Sequence, residues 1–181
     1  ILPFSSVTAR ILAHAYVGSG RIEEGFAEAE RAFELDGFEQ DDVERGLLLA
    51  LSVDDREILL KWMARAEQYI PDSRHMLDAM RETLDDHDAA IAWLRKIYRQ
   101  SDKFDYQVAF WAAWHGDPIL ALDALKRYPA PTSFWQKVMA EVRREPGFKD
   151  LLHQSGLVEY YREFGWNDFC HPLDEDDFMC T

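Results

Sequence analysis

Residues 7–37 read "VTARILAHAYVGSGRIEEGFAEAERAFELDG", and the order of apolar and polar positions in them decides the fold. Apolar or small side chains fall at 9, 12, 13 and 16 with helical spacing, "GSGR" at 18–21 interrupts, and positions 22, 26, 29, 32 and 33 resume the pattern. The stretch predicts a helical hairpin.

A second hairpin follows from about Asp42, with "VERGLLLAL" as its first helix and "EILLKWMARAEQYIP" as its second. They meet at "SVDDRE", where Asp54 and Glu57 have the spacing of a capping box. Ala32 and Ala66 lie 34 residues apart, as do Gly37 and Pro71, so the pattern repeats with a fixed period. A third unit, "RHMLDAMRETL" and "AAIAWLRKIYRQ" around "DDHD", and a fourth, "YQVAFWAAWHG" and "ILALDALKRYP", keep the hairpin logic while the period loosens: Ala90 to Ala121 is 31 residues. In the fourth, Asp117 suits an N-cap and Pro118 the first helical position.

Stacked hairpins leave an apolar flank at the last one, so a terminal element must cover it. Ser133 and Gln136 predict one more helix through about Arg144, Pro146 starts a short helix ended by Gly156, and residues 157–164 form another ended by Gly165. Phe148, Leu151, Leu152, Leu157, Tyr160, Tyr161 and Phe164 are the expected covering surface. The expected layout is about four hairpins over 1–131, the later two degenerate, capping helices over 132–165 and an irregular acidic tail over 166–181.

Ala9, Leu12, Ala13 and Tyr16 on the first helix, Gly25, Ala29 and Ala32 on the second, and a terminal Gly37 or Pro71 resemble tetratricopeptide repeats. The ending "REPGFKDLLHQSGLVEYYREFGWNDFCHP" is similar to that of tetratricopeptide domains attached to bacterial class III nucleotidyl cyclases and winged-helix transcription regulators. Arg143, Pro146, Phe148, Leu151, Gly156, Leu157, Tyr160, Gly165, Asp168, Phe169 and Cys170 stand in the matching places. The resemblance implies an all-α, right-handed superhelical solenoid with a helical cap, serving as a sensory or assembly module of a larger bacterial regulatory protein. The start at Ile1, without a methionine, agrees with a fragment of such a protein.

The composition sets outer bounds. With 181 residues, 48% hydrophobic and 13% aromatic, the chain can bury a core as one domain. Its net charge of −14 repels a phosphate backbone and argues against direct nucleic-acid binding; the field would attract a basic partner or metal cations, and an acidic surface that keeps the protein in solution is the preferred reading. The longest apolar run, Leu47 to Leu51, is far too short to span a membrane. Cys170 and Cys180 are the only cysteines, which suits a reducing, cytoplasmic setting better than a secreted disulfide framework.

No catalytic residues, cofactor or metal site are expected. Cys170, His171 and Cys180 are too few and too widely spaced for a four-ligand zinc site, and a tail cysteine packing as a small hydrophobe is preferred to either a metal ligand or a disulfide. His14, His75, His87, His115 and His153 lack a nucleophile at a useful spacing, and "DDHD" at 85–88 lacks the glycine and distant glutamate of a calcium loop.

The candidate groove residues are Arg10, His14, Glu44, Leu48, Tyr106, Phe110 and Trp114. First helices line the concave face of this type of solenoid. Arg10 and His14 lie one turn apart there, while Glu44 and Leu48 on the second unit offer no basic counterpart, which disfavours a carboxylate clamp. Tyr106, Phe110 and Trp114 share one face of their helix and Trp111 occupies another, so that helix is either buried on both sides or offers one face to a partner. The expected role is non-catalytic docking of a protein or peptide, or self-association; the rival is a small-molecule sensor acting on an upstream domain.

Overall fold

The computed structural model describes residues 5–35, 40–53, 55–70, 74–174 and 177–181, with only the backbone described at 40–42. The chain is mostly helical, with eleven α-helices among the described residues. It forms two compact units, 1–86 and 87–181.

The first unit contains α1 (Ser6–Gly18), α2 (Ile22–Leu35), α3 (Gln40–Ala50), α4 (Arg56–Tyr69) and α5 (Arg74–Glu82). Small residues set how closely its helices approach. A Cβ on Gly25 would lie 2.5 Å from Val17 Cγ2 and 3.0 Å from the Ala13 carbonyl oxygen, so α2 crosses α1 where only glycine fits. The buried Ala9, Ala13, Ala29 and Ala32 continue that contact. On α3 a Cβ at Gly46 would fall 2.1 Å from the Trp62 ring, so α4 seats its indole directly on the α3 backbone. Glu30 of α2 ties α2 to α4 through ion pairs with Lys61 (2.9 Å) and Arg65.

The cap of α4 departs from expectation. Asp55 Oδ1 accepts from the backbone N–H groups of Glu57 and Ile58 at 2.9 and 3.0 Å, so the N-cap is one residue after the expected one. The expected cap Asp54, and the expected terminators Gly37 and Pro71, lie outside the described residues. The third expected hairpin is divided between the units, α5 in the first and its second helix in the other.

The second unit opens with α6 (His87–Gln100), α7 (Asp105–Trp114) and α8 (Pro118–Arg127). Asp117 caps α8 through the Leu120 N–H at 3.1 Å, with Pro118 in the first turn, as the sequence predicts. The same carboxylate accepts from Arg95 of α6 at 2.6 and 3.0 Å, so one residue both starts α8 and fastens α6 to it. The helix predicted from Ser133 to Arg144 is replaced by two short 3-10 turns, Pro131–Ser133 and Lys137–Met139, and α9 (Ala140–Arg144). The Ser133 hydroxyl meets the Tyr106 hydroxyl at 2.8 Å, and Gln136 makes no side-chain cap hydrogen bond, so the capping box does not form.

Then α10 (Gly147–Gln154) and α11 (Leu157–Phe164) end as predicted, at Gly156 (φ 69°) and Gly165 (φ 100°), both left-handed positions that favour glycine. Phe148, Leu151, Leu152 and Tyr161 are buried, joined by Val158. Tyr160 and Phe164, expected in the covering surface, instead face solvent at 54% and 66% exposure, because α11 turns its 158 and 161 positions inward.

The tail is not irregular. β1 (Cys170–Pro172) and β2 (Phe178–Cys180) pair antiparallel with Cys170 opposite Cys180, and the two sulfurs form a disulfide, correcting the expectation of a free thiol. Among the described residues between them, Asp174 Oδ1 accepts from the Asp177 N–H at 2.8 Å, and the Leu173 N–H donates to the Asp177 carbonyl at 2.9 Å. Lys149 pairs with Asp177, and Arg143 anchors the end. The buried guanidinium donates to the carbonyls of Thr181 (2.6 Å), Phe134 and Gln136 (both 2.9 Å) and lies over the Phe169 ring. Burial, with Arg144 nearby, lowers its pKa to about 10. No described helix is long and apolar enough to cross a membrane.

Candidate functional site: a basic recess on α1 and α3

The structure brings Arg10 and His14 of α1 together with Arg45 and Leu49 of α3, over a floor of Ala13, Ala29 and Ala32. The recess holds ≈ 10 Å³, room for a single water-sized group. Small floor residues are what the close α1–α2 crossing demands, and they also leave space beneath the basic heads. The packing requirement and the recess share one cause.

Three nitrogen-bearing side chains thus converge on a chain of net charge −14. His14 is half-buried, and burial together with the neighbouring Arg45 charge lowers its pKa to about 4. At neutral pH it is a neutral imidazole, able to donate or accept, in a recess it shares with two guanidinium groups. Such a set suits one carboxylate oxygen: charge comes from the arginines and a directional hydrogen bond from the imidazole. Arg10 and His14 are each already held in other interactions, so Arg45 is the residue to which a new contact falls most directly.

Two of the expected groove residues are displaced by one position. Glu44 and Leu48 were the sequence's choice on α3, yet Leu48 is wholly buried and the recess is lined by Arg45 and Leu49. One residue along a helix is a rotation of about 100°. That rotation turns an apparent acid into a base.

The aromatic candidates separate. Phe110 is wholly buried, so its expected place in an open groove is corrected; it packs edge-on to Tyr106 with centroids 5.2 Å apart. Tyr106 is half-buried and hydrogen-bonded to Ser133, and Trp114 is half-buried against His87 and His115. α7 also buries Val108, Ala109, Trp111 and Ala112, and with them the carboxylate of Asp105. Arg127 of α8 satisfies Asp105 through both oxygens, donates to the Tyr98 carbonyl at 2.9 Å and lies 3.6 Å from the centre of the Tyr98 ring. Burial raises the Tyr98 phenol's pKa. These contacts fasten α6, α7 and α8 together.

Sequence reasoning also passed over a groove of ≈ 170 Å³ lined by Arg95, Tyr98, Arg99, Ile119, Leu120 and Asp123. Its signal was faint: cations at 95 and 99 stand one turn apart on α6, and Ile119 is an exposed apolar residue in the first turn of α8. Among the described residues no three or more histidines, cysteines, aspartates or glutamates are grouped to hold a metal. Comparison with protein-family models, with curated proteins and with solved structures found no match.

Proposed function

We propose that this chain is a non-catalytic docking module, a tetratricopeptide-like right-handed solenoid with a C-terminal helical cap, working inside a larger cytoplasmic bacterial regulatory protein. The single observation that carries the reading is the convergence of Arg10, His14 and Arg45 from two successive first helices on one recess. Helices that alternate in this way present corresponding positions to one extended ligand.

The ligand class follows from two charges acting at different ranges. Overall, −14 attracts a basic polypeptide and repels an acidic one. Locally, the recess takes a carboxylate. A peptide with basic side chains and a free C-terminus satisfies both, its terminal carboxylate against Arg45 and its cations toward the acidic surface. The small-molecule sensor gains less support from these two recesses, of ≈ 10 and ≈ 170 Å³, each below the roughly 300–1,000 Å³ of typical ligand pockets. Alkylation of thiols in intact cells before lysis tests the cytoplasmic part of the proposal against the Cys170–Cys180 bond.

The test is selection from a library of labelled decapeptides with free C-termini, followed by anisotropy titration of the selected binders. Enrichment of basic peptides whose binding weakens at least tenfold on C-terminal amidation is expected. Selection of acidic peptides, or indifference to amidation, would overturn the ligand assignment.

A further inference from the structure

His87, in the first turn of α6, and His115, just past the end of α7, are 28 residues apart, yet their Nδ1 atoms face one another at 3.0 Å. His87 is exposed and His115 is 4% exposed. Around the buried ring stand two indoles: Trp114 edge-on with centroids 4.6 Å apart, and Trp111 stacked at 6.1 Å. Trp114 also touches His87, at 5.9 Å.

We propose that His87 and His115 form an exchangeable site for a divalent transition-metal ion of the copper(II) or nickel(II) type, bound through both Nδ1 atoms in cis with water completing the coordination.

Geometry and ligand chemistry support this together. Two imidazole nitrogens at about 2.0–2.1 Å from one ion are about 2.9 Å apart at a right angle and about 3.3 Å apart at the tetrahedral angle. The observed 3.0 Å between the nitrogens is therefore close to the spacing of the square-planar arrangement, which copper(II) and nickel(II) favour with nitrogen and oxygen donors, and a tilt of the exposed His87 ring brings both lone pairs onto one ion. In the metal-free pair one Nδ1 must carry a proton that the other accepts. Binding requires that proton to leave the shared position, and on His87 it can pass to Nε2, which remains open to water. His115 is well prepared as a ligand. Its Nε2 is buried without a partner among the described residues in the metal-free state, so metal binding creates no new unsatisfied group there.

The site differs from the four-ligand zinc centre that the cysteines were weighed for. With only two protein ligands it leaves positions for solvent and releases its ion readily. The −14 net charge, and the acidic neighbours Asp86 and Asp88 in sequence, favour a cation at this end of α6.

Trp111 and Trp114 provide a built-in reporter, since a paramagnetic ion on His115 quenches them. Titration of untagged protein with copper(II) in a non-coordinating buffer should give saturable quenching at one equivalent, reversed by excess EDTA, with at least two nitrogen couplings in the electron paramagnetic resonance spectrum. His87→Asn, at an exposed position, should keep the helical circular dichroism and weaken copper binding at least tenfold, whereas His171→Asn on the distant ribbon should bind as the parent does. Unchanged affinity in His87→Asn, an oxygen-only spectrum, or loss of binding in His171→Asn would overturn the proposal.

Discussion

Helices α1 and α7 are both the first helix of a hairpin, and they are solvated in opposite ways. α1 buries a stripe of small residues, Ala9 and Ala13 with Val17, and leaves Val7 and Ile11 largely in water. α7 buries residues 108 to 112 without interruption and a carboxylate besides. The helix richer in aromatics has the less accessible surface. Phe110 and Trp111 lie in the core, while alanines on α1 and α2 floor a depression that Arg10, His14 and Arg45 line. In this chain the recess is marked by what the small residues leave open, and aromatic density marks the core.

The largest effect follows from the buried side of that contrast. Phe110→Ala should cost about 3–5 kcal/mol through lost burial and a residual cavity, measured by urea unfolding. A loss below about 1 kcal/mol would mean that α7 has an open face after all. The double change of Phe110 and Trp114 to Ser should likewise lose stability before it loses any ligand.

Acid should weaken both regions through the histidine each carries. His14 and His115 have folded pKa values of about 4, below the ordinary 6.5, so the unfolded chain binds their protons first. Their contribution is present above about pH 6.5 and is lost as pH falls from there toward about 4. Each accounts for at most on the order of 3 kcal/mol, less where local opening admits water. Chemical denaturation at a series of pH values should show this slope, and His14→Gln and His115→Gln should each remove part of it. A flat profile across that window would contradict the burial of both rings.

A smaller effect is expected at the polar tie beneath α7. Arg127→Ala leaves the Asp105 carboxylate buried without its guanidinium, yet the arginine is itself more than one-third exposed, so about 2 kcal/mol is expected rather than the larger loss of a fully buried pair. Asp105→Asn with Arg127→Ala should recover part of that loss, as read from the unfolding midpoint.

Much of this architecture was legible in the sequence because its causes are local. Helical spacing, Asp117 with Pro118, and the left-handed turns at Gly156 and Gly165 act over four residues or fewer, and all appear where predicted. What escaped depended on rotation or on distance. Arg45 was missed because a one-residue error in register swings a side chain about 100°. Cys170 and Cys180 were expected apart because two cysteines suggested a reducing setting, whereas the pairing of β1 with β2 sets them opposite one another. The His87–His115 contact joins positions on successive helices that no short motif connects.

The central claim is that the recess on α1 and α3 recognises a carboxylate, and a binding cycle on Arg45 tests it most directly. A selected basic peptide is titrated in free-acid and amidated forms against the parent chain and Arg45→Glu, with the thermal transition recorded for each. The account predicts that Arg45→Glu keeps its transition, binds the free acid at least tenfold more weakly than the parent does, and loses most of the preference for free acid over amide, a coupling of about 1.4 kcal/mol or more. Equal preference for the free acid in both proteins would show that the carboxylate binds elsewhere, and would contradict the account.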